Sequence, residues 1–264
     1  IKAAQLGLRT ALVEKDKVGG ACLHWGCIPT KTLLHSAHLY RKFNKAEECG
    51  IIVEKIGINY SRLHRRKEAI VNRLFKGIQF LLKKNNVEVF EGAGELTSPS
   101  SILLKKNGNE IGKITAKNVI LATGSVPLIP HTILYDRRYV LTSDDVLVLE
   151  EIPKSIIIVG GGAVGVEFAY FLNAFGTKVT IIELLDDILP AEDKEVSSAL
   201  RKVFVKMGID VLTSTALQKV EIDNGVRVEI KRKIQSPPTS KETNETLKAD
   251  CLLLALGRTP ALQN

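Results

Sequence analysis

The sequence has no apolar run able to cross a membrane. Its longest, SIIIVGGGAVGVEFAYFL beginning at Ser155, is broken by glycines and by Glu167, whereas a spanning helix needs about 20 consecutive apolar residues. A secretory leader pattern is also missing, so the expected setting is cytoplasmic, or an organelle matrix for a eukaryotic source. Aromatic residues make up 5% of the chain, with one Trp and one Met. Cysteine is scarce: four in 264 residues cannot staple a secreted disulfide scaffold. A chain 45% hydrophobic and 25% charged has the composition of a folded globular protein, not a disordered one. Its length suits one large or two ordinary domains.

Acidic charge falls short of basic, 29 Asp and Glu against 37 Lys and Arg, which leaves +8. Such an excess raises the question of a nucleic acid or a membrane surface. The basic residues are dispersed, however. Where they concentrate, in SRLHRRKEAIVNRLFKGIQFLLKKN from Ser61, they fall on the polar face of an amphipathic helix that carries no interleaved aromatics. The expectation is a solvated face, with no nucleic-acid and no membrane partner.

What the sequence does hold is an internal repeat. In SIIIVGGGAVGVEFAYFLNAFGTKVTIIE a β-branched strand runs into Gly160, Gly162 and Gly165, then a helix, then Gly176, then a strand ending at Glu183. This is a dinucleotide-binding βαβ pattern: Gly160 for the tight turn, Gly162 for backbone approach to a pyrophosphate, Gly165 for close helix-on-strand packing. The earlier LGLRTALVE matches FGTKVTIIE, Gly7 aligning with Gly176 and Glu14 with Glu183. Carried backwards, the alignment puts the counterpart of Gly160 before residue 1. The chain also opens on Ile1 in what reads as the end of a helix followed by a strand, so a truncated start is expected.

The match resumes downstream. KNVILATGSVP and ADCLLLALGRTP each read as a buried strand followed by a glycine, with Pro127 and Pro260 three residues after it. The expected fold is therefore α/β, with two Rossmann-like dinucleotide-binding domains over 1–149 and 150–264, parted by the turn-rich stretch before residue 150. Each carries a β excursion: GAGELTSPSSILLKKNGNEIGKITAKNVIL turns at NGN, and QSPPTSKETNET is expected as a loose hairpin tip.

The cysteines sit unevenly: Cys22 and Cys27, with four residues between them, share the glycine-flanked stretch GGACLHWGCIPTK, expected to be a loop. A close pair in a chain without a secretion signal favours redox chemistry. Zinc is the rival, but His24 with the distant Cys49 and Cys251 is a poor ligand set, so no metal is expected. IPTKTLLHSAHLYRKF reads as a helix with Pro29 in its first turn. Cys27 then stands at a helix N-terminus, which favours an anionic sulfur, and Lys31 one turn on adds positive charge.

With GGACLHWGCIPTK, ILATGS, VGGGAVGVEFA and LALGRTP together, the chain resembles the pyridine nucleotide-disulfide oxidoreductases over essentially its whole length, and most closely the members that oxidise dihydrolipoamide. The resemblance implies that Glu14 holds the ribose of FAD and that Lys15, Gly20, Gly94, Thr123, Gly124 and Ser125 line the flavin nucleotide. It implies that Cys27 faces the flavin, that Cys22 exchanges with substrate as its disulfide partner, and that Lys31 pairs with Glu167 beside flavin N5. Gly160, Gly162, Gly165, Glu183 and Gly257 would bind the nicotinamide nucleotide. A carboxylate at Glu183 accepts from a ribose 2′-hydroxyl and repels a 2′-phosphate, favouring NAD over NADP.

The implied partner is dihydrolipoamide carried on a lipoyl domain of a 2-oxo acid dehydrogenase or glycine cleavage complex, and the implied assembly is a homodimer. Trp25 departs from the small aliphatic residue common in the family. The family's second flavin segment and its interface domain, with their catalytic His and Glu, do not appear before Asn264. The five histidines, His24, His35, His38, His64 and His131, are accordingly expected to be structural or surface residues, and Cys49 and Cys251 small buried hydrophobes. Mercuric reductase, transhydrogenase and other disulfide reductases stay open as alternatives, as does a redox-sensing or nucleotide-binding module without enzymatic activity.

Overall fold

A computed structural model describes residues 1–236 and 239–262. In chain order the helices are α1 (Lys2–Gln5), α2 (Gly20–Trp25), α3 (Cys27–Asn44), α4 (Tyr60–Lys84), α5 (Ser143–Val146), α6 (Ala163–Ala174) and α7 (Lys194–Lys206), with a 3₁₀ turn at Ala46–Cys49. No helix among the described residues is long and apolar enough to cross a membrane. Contacts divide the chain into two compact units: residues 1–28, 68–124 and 262–264 form the first, and residues 29–67 and 125–261 the second.

The first unit holds β1 (Ala11–Glu14), paired in parallel with β2 (Glu88–Glu91), and an antiparallel sheet of β3 (Ala93–Ser98), β4 (Ser101–Lys106) and β5 (Asn109–Thr115). The β4–β5 turn is the expected one, with Asn107 and Gly108 both at positive φ, as a tight hairpin requires. The core of this unit is small: Val18, Leu82 and Val87, supported by Leu12, Phe75 and Ile78.

One expectation fails here. KNVILATGSVP forms no strand before Ser125, and Ile120 and Leu121 are 85% and 67% exposed instead of buried. An apolar run becomes a buried parallel strand only between two neighbours, and β1 pairs with β2 alone.

In the second unit the pattern is realised in full. Its strands are β6 (Ser125–Pro127), β7 (Val140–Thr142), β8 (Ser155–Val159), β9 (Lys178–Ile182), β10 (Asp210–Leu212), β11 (Thr215–Ile222), β12 (Val226–Ser236), β13 (Thr239–Ala249), β14 (Cys251–Leu254) and β15 (Arg258–Pro260). Five of them make a parallel sheet in the order β10-β9-β8-β14-β7.

These strands are apolar at nearly every position because both faces are covered. Ile156, Ile158, Cys251 and Leu253 face a cluster with Phe168, Phe171 and Leu172 of α6, joined by Leu33 and Ala37 of α3. Ile157, Val159, Leu252 and Leu254 face the opposite way, onto Val226, Val228 and Ile230 of β12. Each such side chain contributes about 1.5–3 kcal/mol on burial, so this layer is the main source of stability.

The fold is thus α/β and Rossmann-like, with an antiparallel excursion in each half. The segment expected as a loose hairpin tip is mostly regular: β12 and β13 pair out to Ser236 opposite Thr239, with Lys231 holding Glu242 at 2.6 Å. Cross-strand charge pairs of this kind support a polar hairpin. Pro237 and Pro238 lie outside the described residues.

Candidate active site

The nucleotide-binding end of the second unit begins where β8 stops. β9 lies on one side of β8 and β14 on the other, so the chain reverses direction across the sheet at that point, the place where open α/β sheets bind ligands. Gly160 follows β8 at φ 109°, and a side chain there would run into the carbonyl oxygen of Ala255 at the end of β14. A Cβ on Gly165 would in turn strike the Gly160 carbonyl oxygen. Together they let α6 start directly against the sheet.

Gly162 caps α6 with no side-chain hydrogen bond and has nothing within 4 Å of a built Cβ. The space beside Gly162 is therefore open at the N-terminus of α6, a place that suits a phosphate.

Glu183 closes the other side of this space. It follows β9, is 8% exposed, and its two oxygens are both used: Oε2 accepts from Gly161 N at 2.7 Å and Oε1 from Leu185 N at 2.8 Å. A carboxylate oxygen keeps a second lone pair, so each can still accept from a ribose hydroxyl. The residue is an anchor of the glycine loop as well as a candidate ligand.

Gly257 follows β14, and its carbonyl oxygen accepts from Leu128 N at 3.0 Å. Next to it stands a residue that sequence reasoning missed. Arg258 donates through Nε to Ser125 Oγ at 2.9 Å and through Nη2 to the Ser125 carbonyl at 2.7 Å, with Nη1 3.4 Å from Asp144 Oδ1. The antiparallel pairing of β15 with β6 sets this up by placing Pro260 opposite Ser125. The arginine in GRTP was the available signal, and nothing local linked it to Ser125.

In the first unit, Glu14 ends β1 and caps the following turn by accepting from Asp16 N at 3.0 Å. Gly94 lies against Val13 of the same strand: a Cβ there would come within 3.3 Å of Val13 Cγ1. Lys15, Gly20, Thr123 and Gly124 are exposed, and no described contact joins them to Glu14.

The cysteine stretch is not a loop. Cys22 lies within α2, and Cys27 is the first residue of α3, the break falling at Gly26. Both residues are exposed. His24 in the same stretch is structural, its Nε2 3.0 Å from the Val18 carbonyl and its ring edge-on to Phe75. Lys31 follows Cys27 by one helical turn, and within the second unit its Nζ meets Glu167 Oε1 of α6 at 2.5 Å across 136 residues of sequence.

Of the remaining cysteines, Cys251 is buried, and burial pushes its thiol up to about 12. Cys49 is exposed, contrary to expectation: it ends a one-turn 3₁₀ helix from which only Ala46 is buried. Among the described residues no three of His, Cys, Asp and Glu are grouped so as to hold a metal ion.

Comparison with known proteins gives the family. The model of the pyridine nucleotide-disulphide oxidoreductase family matches residues 1–264. A dihydrolipoyl dehydrogenase of Bacillus subtilis is 41% identical over 266 residues, covering 98% of this chain and 55% of that protein. One from Acholeplasma laidlawii is 42% identical over 262 residues, covering 97% and 73%. Among solved structures, the HOCl-induced flavoprotein disulfide reductase RclA of Escherichia coli superposes with a TM-score of 0.78 at 29% identity, covering 99% of this chain and 54% of that one. The chain spans about half the length of most of these relatives.

Proposed function

The chain belongs to the pyridine nucleotide-disulphide oxidoreductase family, and from that premise we propose that it is the dinucleotide-binding part of a dihydrolipoyl dehydrogenase. The observation that carries the reading is α3 itself. Its first residue is the Cys27 thiol, and one turn later Lys31 is held by Glu167 of α6, the helix that opens on the nucleotide-binding glycines. One helix thus carries a redox sulfur and a cation tied to the dinucleotide machinery.

In this proposal residues 1–149 hold FAD through Glu14, Lys15, Gly20, Gly94, Thr123, Gly124 and Ser125, with Lys31 and Glu167 beside it. Residues 150–264 hold NAD through Gly160, Gly162, Gly165, Glu183 and Gly257. The open space at Gly162 and the spare lone pairs of Glu183 fit the pyrophosphate and ribose of NAD, and the negative charge of Glu183 disfavours NADP.

In the oxidised enzyme Cys22 and Cys27 form a disulfide. A thiolate of dihydrolipoamide attacks Cys22 Sγ, and Cys27 leaves as a thiolate stabilised at the α3 N-terminus. The second substrate thiolate then attacks the substrate sulfur bound to Cys22 and expels the Cys22 thiolate. Lipoamide departs as a disulfide, and two electrons remain on the cysteine pair. Bound FAD and NAD supply the onward two-electron path.

The substrate rides on a lipoyl domain of a 2-oxo acid dehydrogenase or glycine cleavage complex, and the complete enzyme is a cytoplasmic or organelle-matrix homodimer. Residues 1–264 alone would bind FAD poorly, lack dihydrolipoamide oxidation and keep at most weak NAD binding, because the glycine cradle of the first repeat aligns before residue 1. Expressing residues 1–264 and assaying flavin content and dihydrolipoamide oxidation tests that; a yellow protein with stoichiometric flavin overturns it. For the complete enzyme, the test is dihydrolipoamide-dependent NAD reduction, which Cys27→Ser should abolish without loss of NAD binding; undiminished turnover in the variant refutes the mechanism.

A further inference from the structure

The Lys31–Glu167 pair is short but poorly protected: the side chains are 60% and 27% exposed. A pair so accessible is worth at most about 1 kcal/mol, much of it spent on ordering two long side chains. It does not by itself hold α3 against α6. Buried Leu33 and Ala37 of α3 share a cluster with Phe168, Phe171 and Leu172 of α6, and further along the same two helices a set of polar and ring contacts adds to that packing.

His38 and Arg41, three residues apart on α3, meet Tyr170 and Asn173, three residues apart on α6. His38 Nδ1 lies 3.3 Å from Tyr170 Oη, and Arg41 Nη2 donates to Asn173 Oδ1 at 2.5 Å. The Arg41 guanidinium also sits over the Tyr170 ring, 5.1 Å from its centroid, while Tyr40 leans on Phe175 at 5.2 Å. The order of the contacts means that the helices run in the same direction, in step from His38–Tyr170 to Arg41–Asn173, with Lys31 and Glu167 nearer their N-terminal ends.

Arg41 is set in this seam more deeply than a surface cation. Its Nε is buried without a hydrogen-bond partner, and desolvation lowers its pKa against the raising influence of Tyr170. A guanidinium kept there despite desolvation is being used for its planar fork and its stacking face, which a lysine could not reproduce.

We infer that Arg41, acting through Tyr170 and Asn173, is a positioning residue that sets the register of α3 on α6 and so delivers the Lys31 ammonium to Glu167. Sliding one helix by a single residue moves a side chain about 1.5 Å along its axis and 100° around it, enough to separate a 2.5 Å pair. The inference rests on the proposed function only for its consequence, that Lys31 and Glu167 are kept ready beside a bound flavin.

The test reads the pair directly. In the complete protein, pulse acylation with acetic anhydride followed by mass spectrometry gives a rate for each lysine. Glu167→Gln sets the unpaired reference at Lys31, expected about two- to fivefold faster than wild type. Arg41→Ala and Asn173→Ala should each recover most of that increase, and Arg41→Lys only part of it. Lys219, paired with Glu221 at 2.6 Å on β11, should label at its wild-type rate throughout.

An unchanged Lys31 rate in Asn173→Ala and in Arg41→Ala overturns the inference, as does a rise shared equally by Lys219, which would mean general loosening. If Arg41→Ala fails to fold, Asn173→Ala decides the matter alone. The readout is the labelling rate of each lysine and not turnover, so a failure of the proposed dehydrogenase activity would leave the labelling result standing.

Discussion

Replacing Glu183 is the obvious way to alter nucleotide choice, and the structure predicts that the change will cost stability first. The carboxylate is 8% exposed and accepts from two backbone amides, Gly161 N at 2.7 Å and Leu185 N at 2.8 Å. Glu183→Ala removes both acceptors. The buried Gly161 amide left unpaired costs about 1–3 kcal/mol and the part-buried Leu185 amide loses an ordinary hydrogen bond worth about 0.5–1.5 kcal/mol, so the expected loss is about 1.5–4.5 kcal/mol, smaller if water enters the vacated space. Glu183→Gln keeps one carbonyl oxygen and turns an NH₂ towards the other amide, for an expected loss of about 1–3 kcal/mol.

Urea denaturation of the wild type and both variants gives the comparison, with NAD and NADP titrations on the same samples. Gln should fall between wild type and Ala in stability, and both should lose NAD affinity while the disadvantage of NADP shrinks. A Glu183→Ala protein within about 0.5 kcal/mol of wild type would refute the anchoring role, since surface changes away from such features fall in that range. A wild-type preference for NADP would refute the assignment of Glu183 to the ribose.

Cys27→Ser should still bind NAD with wild-type affinity by calorimetry while losing all oxidation of dihydrolipoamide, whereas loss of both together would point to misfolding and not to missing chemistry. Phe171→Ala, at a side chain fully buried between α6 and the sheet, should cost about 3–5 kcal/mol in chemical denaturation; a loss below 1 kcal/mol would mean that this cluster is not the principal core. Asp136 is only slightly buried; that burial opposes ionisation, but amides of Val140, Arg138 and Tyr139 outweigh it and lower its pKa. A lowered folded pKa gives stability that is present above the ordinary value near 3.8 and is lost as pH falls through the folded value. Asp136→Asn should therefore be less stable than wild type at neutral pH, with the gap closing in acid, and a gap independent of pH would exclude the ionised carboxylate as its cause.

The second unit was legible because its signals are local and redundant. Gly160, Gly162 and Gly165 mark the turn, Glu183 ends the next strand, and strands buried on both faces read as unbroken apolar runs. The first unit shows the limit of that reasoning. KNVILATGSVP has the same punctuation as the strand before Gly257, yet Ile120 and Leu121 stay exposed, because an apolar run specifies only the wish to be buried, while a strand needs neighbours to pair with. The cysteine stretch was misread for the opposite reason: six residues from Gly20 are too few to show a helical period, and their helix depends on what surrounds them.

Roles that depend on backbone groups were the hardest to see. The sequence places a carboxylate at Glu183 but is silent on which amides reach it, because Gly161 and Leu185 contribute through atoms every residue possesses. Arg258 and Ser125 are 133 positions apart, and Lys31 and Glu167 are 136 apart; such distances carry no spacing rule, and only register between elements brings the partners together. A residue such as Arg41 lies one level further from the sequence. It touches no cofactor or substrate candidate, and its effect on the Lys31–Glu167 pair passes through the alignment of two helices. Conservative exchange is the way to separate such a residue from filler: a side chain that merely occupies space tolerates lysine, whereas one that sets register through a planar fork and a stacked face does not.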